Sequence, residues 1–330
     1  MRRIISILAL LVCLTATAQN PLTGNDNKFN KVDYTALPVL QVSGDEGVSA
    51  PFAGCIDGKV IIAGGCNFAE KPAAEGGQKI FYQEVYQLDP NKTEGGWTVV
   101  GKLPQAMAYG VSVTVGDGIV CIGGTDGEKS SGKVTLMQQD SKGNISYKDL
   151  PTLPVTLDNA CGAYDGKGYI YVAGGKANGK PSNAAYRLEY PGGSAWEALP
   201  DMPGAARIQP AGVVQNGATN ALFFVMGGYS EPTETKEGIV HQNGVYYNPL
   251  TNTWTTTSDI TPGGKQMAIV GAAAVTSGYS HIVCIGGTNL HIFSEAINRP
   301  FVRAQAEAQG DDEAVKRIDE EGKNYMNHSP

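Results

Sequence analysis

The stretch Val120-Cys121-Ile122-Gly123-Gly124 is one of five in the chain that end alike. VIIAGG stands at 60–65, VCIGG at 120–124, YVAGG at 171–175, FVMGG at 224–228 and VCIGG at 283–287, so the second glycines are 59, 51, 53 and 59 residues apart. Each apolar run is rich in β-branched and bulky residues. It is long enough for a buried strand and too short for a helix. A strand closed by Gly-Gly and repeated at this period is the mark of a ring of small sheets. The glycines let backbones approach where the sheets converge on an axis.

The period of about 50 residues assigns the repeat to the kelch type of β-propeller, an all-β fold. Working outward from each glycine pair gives blades at 47–104, 107–154, 157–203 and 206–262, and a fifth from 266 that stops after two strands. Asp57-Gly58, Asp117-Gly118 and Asp165-Gly166 read as tight hairpin turns between first and second strands, and Asn216 to Asn220 as a longer one. An aromatic followed by Leu-Pro closes blades at Trp97…Leu103-Pro104, Tyr147…Leu153-Pro154 and Trp196…Leu199-Pro200. Residues 31–38 carry the same closing pattern, with Tyr34 and Leu37-Pro38, and no strands before it. They read as a closing strand whose host blade is not in the chain, so the ring is expected to be incomplete. From Asn289 to Pro330 the composition shifts to Ala, Glu, Gln and Arg, with apolar residues at 297, 301, 302, 315 and 318. That pattern predicts one or two amphipathic helices inserted after the second strand of blade five.

Glycine is 43 of 330 residues and charged residues are 17%. Both suit many turns and buried strands, and neither suits disorder. Arg2-Arg3, the apolar run Ile4 to Leu14 and Ala16-Thr17-Ala18 read as a secretory signal over 1–18, followed by a polar linker at 19–30. This predicts a periplasmic or secreted protein. Loss of two arginines takes the net charge from −7 to −9, which gives no basis for binding nucleic acid or an anionic membrane. Of the cysteines beyond the signal, 55, 66, 121, 161 and 284, none is expected in a disulfide, because they lie on strands that would hold them apart. Cys55 and Cys66 are the pair best placed to break that expectation. The histidines at 241, 281, 291 and 328 form no ligand motif, so no metal and no cofactor is expected.

Strands alternate direction within a blade. The loops after each Gly-Gly, at 66–80, 125–132, 176–183, 229–243 and 289–330, therefore share one face with the connections between blades. Their length marks that face as the binding face. It carries Asn67, Glu75, Lys79, Tyr109, Asp158, Asn159, Arg207, Gln209, Glu231, His241, Gln266, Asn289 and His291. Arg207 and Tyr109 stand out because they precede first strands that converge on the axis. One pocket holding Asn67, Tyr109, Arg207 and Asn289 is expected.

Laid out in this way, the chain resembles the cyclically permuted mutarotase family, six-bladed kelch propellers similar to bacterial N-acetylneuraminate mutarotases. The resemblance rests on Ala53-Gly54 leading to IIAGGCNF at 61–68, on Gly76-Gly77-Gln78-Lys79 and on Ala108-Tyr109-Gly110-Val111-Ser112. Pro203…Arg207 and Gly286-Gly287-Thr288-Asn289 extend it. It implies an isomerase that interconverts the α and β anomers of a sugar, with sialic acid as the small-molecule partner. Asn67, Lys79, Tyr109, Arg207 and Asn289 become candidate substrate contacts, with Arg207 and Lys79 available to a carboxylate or hydroxyl. The family's glutamate and arginine lie on a G-E-x-K-x-G-x-R-T stretch that residues 1–330 do not contain. Catalytic residues are thus unassigned, and the chain as it stands is expected to be inactive. A non-catalytic propeller binding a glycan or a protein through the same face is the alternative.

Overall fold

The computed structural model describes residues 35–43, 47–71, 75–260 and 267–328, with side chains to Lys323. Four antiparallel sheets of four strands follow one another along the chain, spanning Phe52–Lys102, Val111–Leu150, Cys161–Leu199 and Ala211–Asp259. A fifth pair, Ala273–Ser277 with His281–Ile285, continues the series. In every blade the second strand is the apolar run that ends in Gly-Gly, as the repeat predicts. The architecture is that of a kelch-type propeller.

The core lies between blades, so the apolar runs of blades one to three are buried almost throughout, while that of blade five is only partly buried. Phe52 and Ile61 of blade one pack with Ile119 and Met137 of blade two. Val113 and Leu136 pack with Ile170 and Val172 of blade three. Tyr171 stacks on Phe223 of blade four at 5.3 Å, with Val245 and Tyr247 in the same cluster. Each blade thus buries its faces against its neighbours, as stacked repeats do.

The glycine pairs join the blades. Gly65 N–H donates to Met107 O, Gly124 to Leu157 O, Gly175 to Arg207 O and Gly228 to Ile269 O, all at 2.7–2.8 Å. Each bond crosses from one blade to the approach of the next. At Gly123 a Cβ would stand 2.2 Å from Leu157 O, and at Gly227 it would stand 2.1 Å from Ile269 O. No side chain fits there, and both residues also have φ above +60°.

The closing aromatics tie the outer edge. Trp196 Nε1 donates to Pro151 O and Trp254 Nε1 to Pro200 O, each at 2.7 Å and each in the preceding blade. Tyr147 Oη reaches Lys102 O in the same way at 2.9 Å. Trp97 Nε1 donates to Pro38 O at 2.8 Å. Pro38 therefore takes towards blade one the place that Pro151 and Pro200 take later. Of the expected closing strand, residues 31–34 lie outside the described residues, and 35–38 are not in a strand.

Two turn assignments change. Val115 pairs with Gly118, so the blade-two turn is Gly116-Asp117, one residue earlier than expected. In blade three the loop is Asp165–Gly168, because one Asp165 carboxylate oxygen caps the N–H groups of Lys167, Gly168 and Tyr169. At Asp57-Gly58 both residues have positive φ, as a type I′ turn requires. The cysteine expectation also needs correction. Cys66, Cys121, Cys161 and Cys284 are free, but Cys55 is disulfide-bonded.

The predicted helices form as α1, Leu290–Gln309, and α2, Asp312–His328. Asn289 Oδ1 caps α1 by accepting from Ile292 N–H at 3.1 Å, and Gly310 closes it at φ +70°. Phe293 and Ile297 pack on Tyr229 and Val240 of blade four. Asn298 clamps Gly238 by accepting from its N–H at 2.6 Å and donating to its carbonyl at 3.2 Å. Ala306, Ala314 and Ile318 hold α2 against α1, and Arg303 joins Asp319 across them at 2.8 Å. Among the described residues no helix is long and apolar enough to cross a membrane.

Candidate functional site at the axial mouth

One position per blade organises the axis. Ala50, Tyr109, Asn159, Gln209 and Gly271 each stand two positions before a first strand begins and have φ of 50°, 60°, 54°, 53° and 62°. Their backbones form a continuous series of bonds. Tyr109 N–H donates to Ala50 O, Asn159 to Tyr109 O, Gln209 to Asn159 O and Gly271 to Gln209 O, at 2.8–3.0 Å. The left-handed region is unfavourable for residues with a Cβ, and most of all for a bulky one. Glycine would be the unstrained choice, and blade five uses it. Blades two to four instead place tyrosine, asparagine and glutamine in the series. Strained residues of this kind concentrate at functional sites.

Around that series stand three groups of polar side chains from the blade approaches and the post-glycine loops. Lys79 Nζ donates to Tyr109 Oη and lies 4.7 Å from the centre of the Tyr109 ring and 5.6 Å from that of Phe68. The Cys66 sulfur lies beside the same hydroxyl. Burial, then Cys66, pushes the Tyr109 phenol above its usual range, so it is neutral at any physiological pH. In blade three the buried Asp158 accepts from Ser130 Oγ and, at 2.6 Å, from Asn159 Nδ2. Asn159 Oδ1 accepts in turn from Gln209 Nε2 at 2.9 Å. In blade four Glu231 pairs with Lys176 at 2.6 Å. The Tyr229 phenol is pushed up to about 12, chiefly by burial and then by Glu231, Tyr109 and Asp158. Tyr229 of blade four thus feels the charge of groups on blades two and three.

The expected contacts divide into two groups. Lys79 and Tyr109 meet directly. Asn67 is buried and committed, donating to Gly47 O at 2.9 Å and accepting from Tyr82 Oη at 2.8 Å. Asn289 is the helix cap described above. Arg207 is 4% exposed, and its guanidinium serves blade four, donating to Gly227 O, Asn243 O and Asn243 Oδ1 at 2.7–3.0 Å. Its Nε has no hydrogen-bond partner. The Arg207 charge, second to burial, helps hold His241 down at about 4, and Ser230 Oγ lies 2.8 Å from that imidazole. His291 pairs with Glu295 along α1, Glu75 is exposed, and Gln266 lies outside the described residues. Ser130 and Tyr229 were missed by sequence reasoning, although both sit in the post-glycine loops it singled out. Among the described residues no cluster of His, Cys, Asp or Glu is placed to hold a metal. Two depressions, of about 320 and 150 Å³, lie at the hairpin end instead, beside Asp57 and Asp117 and beside Asp165 and Asn220.

A family model described as N-acetylneuraminate epimerase matches residues 13–145 and 150–330, nearly the whole sequence. The chain belongs to the N-acetylneuraminate epimerase family. Curated relatives of that name include one from Salmonella arizonae, 30% identical over 169 residues, covering 51% of this chain and 40% of that protein. Another, from Vibrio cholerae serotype O1, is 38% identical over 112 residues, covering 31% and 28%. The chain thus spans two-fifths or less of the length of these relatives. The solved structure of YjhT superposes with a TM-score of 0.60 at 13% identity, over 78% of this chain and 81% of that one. That likeness supports the propeller fold. The epimerase-family chain therefore brings its polar side chains to the axis on the scaffold that the glycine repeat predicts.

Proposed function

We propose that the chain is a sugar mutarotase that opens and recloses the ring of N-acetylneuraminate. The observation that carries this reading is the axial end of an epimerase-family propeller, where acid and base groups from three blades stand along one strained series of residues. Anomer exchange requires a base to take the proton of the anomeric hydroxyl and an acid to protonate the ring oxygen as its bond to the anomeric carbon breaks. The open-chain keto acid then turns its carbonyl and recloses from the other face. Asp158, hydrogen-bonded to Ser130 and Asn159, supplies a proton acceptor, and the neutral phenols of Tyr109 and Tyr229 supply donors. Magnetisation-transfer NMR of N-acetylneuraminate, with and without the chain, tests the reading. Exchange between anomer signals faster than in buffer supports it.

A second reading, a propeller that binds a glycan or protein at the same mouth without chemistry, draws on the lack of a G-E-x-K-x-G-x-R-T stretch in residues 1–330. It predicts saturable binding with exchange no faster than in buffer. The leader-like residues 1–18 support a periplasmic or secreted location, which cell fractionation tests.

A further inference from the structure

Among the described residues the polar groups above include three basic side chains, and two are already committed. Lys176 is paired with Glu231 and Arg207 is buried against the carbonyls of blade four. Lys79 has no carboxylate partner among the described residues, is exposed, and is steadied only by two aromatic rings and the Tyr109 hydroxyl. An ammonium in this setting lacks only an anion. The phenol beside it accepts from Lys79, so its own proton is free to go elsewhere, and the thiol of Cys66 is a weak acceptor that a sugar oxygen can displace.

From this contact we propose that Lys79 binds a carboxylate carried on the anomeric carbon of the sugar and Tyr109 protonates the ring oxygen on that same carbon. The assignment rests on the mutarotase reading and deepens it. In a 2-keto sugar acid the carboxylate, the anomeric hydroxyl and the ring oxygen are all substituents of one carbon. An anion seated on Lys79 thus presents one of the two reacting oxygens to a hydroxyl already in contact with Lys79. An aldose has no such carboxylate, and its reacting carbon would not be anchored. In the forward step the Tyr109 O–H bond breaks, its proton joins the ring oxygen, and the bond from that oxygen to the anomeric carbon opens. The anomeric hydroxyl gives its proton to the acceptor on the Asp158 side and becomes the keto oxygen. Lys79 stabilises the phenolate left behind, and reclosure returns both protons. The backbone fixes Tyr109 for this role: its φ of +60° is held by bonds from its N–H to Ala50 and from Asn159 to its carbonyl.

The test crosses two ligands with three variants of the full chain, K79Q, K79R and Y109F. The ligands are N-acetylneuraminate and its methyl ester, which keeps the ring and removes the charge. Calorimetry gives the affinities and magnetisation transfer gives the exchange rates. Lys79→Gln is expected to weaken the free acid about tenfold and the ester less than about twofold, as loss of one charge-assisted bond predicts. Tyr109→Phe is expected to slow exchange about 100-fold while affinity stays within about threefold. Lys79→Arg, which keeps the charge, should retain the preference for acid over ester. A merely structural Lys79 would lower both ligands equally, and that result overturns the carboxylate assignment. Tyr109→Phe exchanging at the parent rate overturns the proton-donor assignment. If the parent chain prefers the acid through Lys79 but exchanges no faster than buffer, the mutarotase reading and the donor role fall while the carboxylate site stands. If the parent accelerates exchange without that preference, the reverse holds.

Discussion

Two glycines with nearly the same backbone separate strain from space. Gly227 has φ +64° and Gly271 has φ +62°, so an alanine at either bears the same left-handed penalty, about 1–2 kcal/mol. Both substitutions also stiffen the unfolded chain equally, which leaves net costs of about 1 kcal/mol from conformation alone. Their surroundings differ sharply. At Gly271 the nearest atom to an added Cβ is Gln209 Oε1 at 3.5 Å, an ordinary contact. At Gly227 it is Ile269 O at 2.1 Å, with Ile269 Cβ at 2.6 Å. Backbone cannot swing aside there without disturbing the adjoining bond from Gly228 N–H to Ile269 O at 2.7 Å. Overpacking of this kind costs about 1–3 kcal/mol, and the lost bond about 1 kcal/mol more. Gly271→Ala is therefore expected to cost about 1 kcal/mol and Gly227→Ala about 3–5 kcal/mol in urea unfolding. Equal losses in the two variants would refute the claim that Gly-Gly exists for close approach between blades. If Gly227→Ala proves too unstable to purify while Gly271→Ala behaves like the parent, the same ordering is established.

Three further outcomes are expected. His241 titrates at about 4, below its ordinary 6.5, so the folded state loses stability as pH falls from about 6.5 to about 4; His241→Gln should flatten that slope in thermal melts. Arg207→Met, the residue that blade two has at the matching position 107, should raise the His241 pKa in NMR titration, because it removes one of the two influences that lower it. Trp254→Phe keeps the packing on Phe223 and Tyr247 but loses the bond to Pro200 O, and should cost about 1 kcal/mol in urea unfolding.

The scaffold was legible because its causes are local. In blades one to four a Gly-Gly with no room for a Cβ, a largely buried apolar run and an aromatic that reaches back to an earlier carbonyl recur together. Each occurrence supports the others. The helices at 290–328 were legible for the same reason, since period and break both appear in the text. The structure buries Arg207, which the sequence offers as a substrate contact, and the means to place it inward were present. Two residues before Ala50, Tyr109, Asn159, Gln209 and Gly271 stand Val48, Met107, Leu157, Arg207 and Ile269, four apolar residues and one arginine. Aligned in that register, Arg207 occupies an inward-facing position, and its guanidinium does reach backbone carbonyls. Asn289 likewise reads as a cap once a helix is expected to begin at 290.

The meeting of Lys79 with Tyr109 had no such signal. The two lie 30 residues apart on different blades, and the loop that carries Lys79 matches no loop in the other repeats. What brings them together is the bond from Gly65 to Met107, which fixes the blade-one loop beside the approach to blade two. The repeat thus dictates where a side chain can face the axis. The irregular loops after each glycine pair dictate which charge waits there. Composition and periodicity describe the first and carry no information on the second. That division explains why Tyr109 could be singled out from its place before a first strand. Lys79 could be paired with it only once the blades were placed side by side.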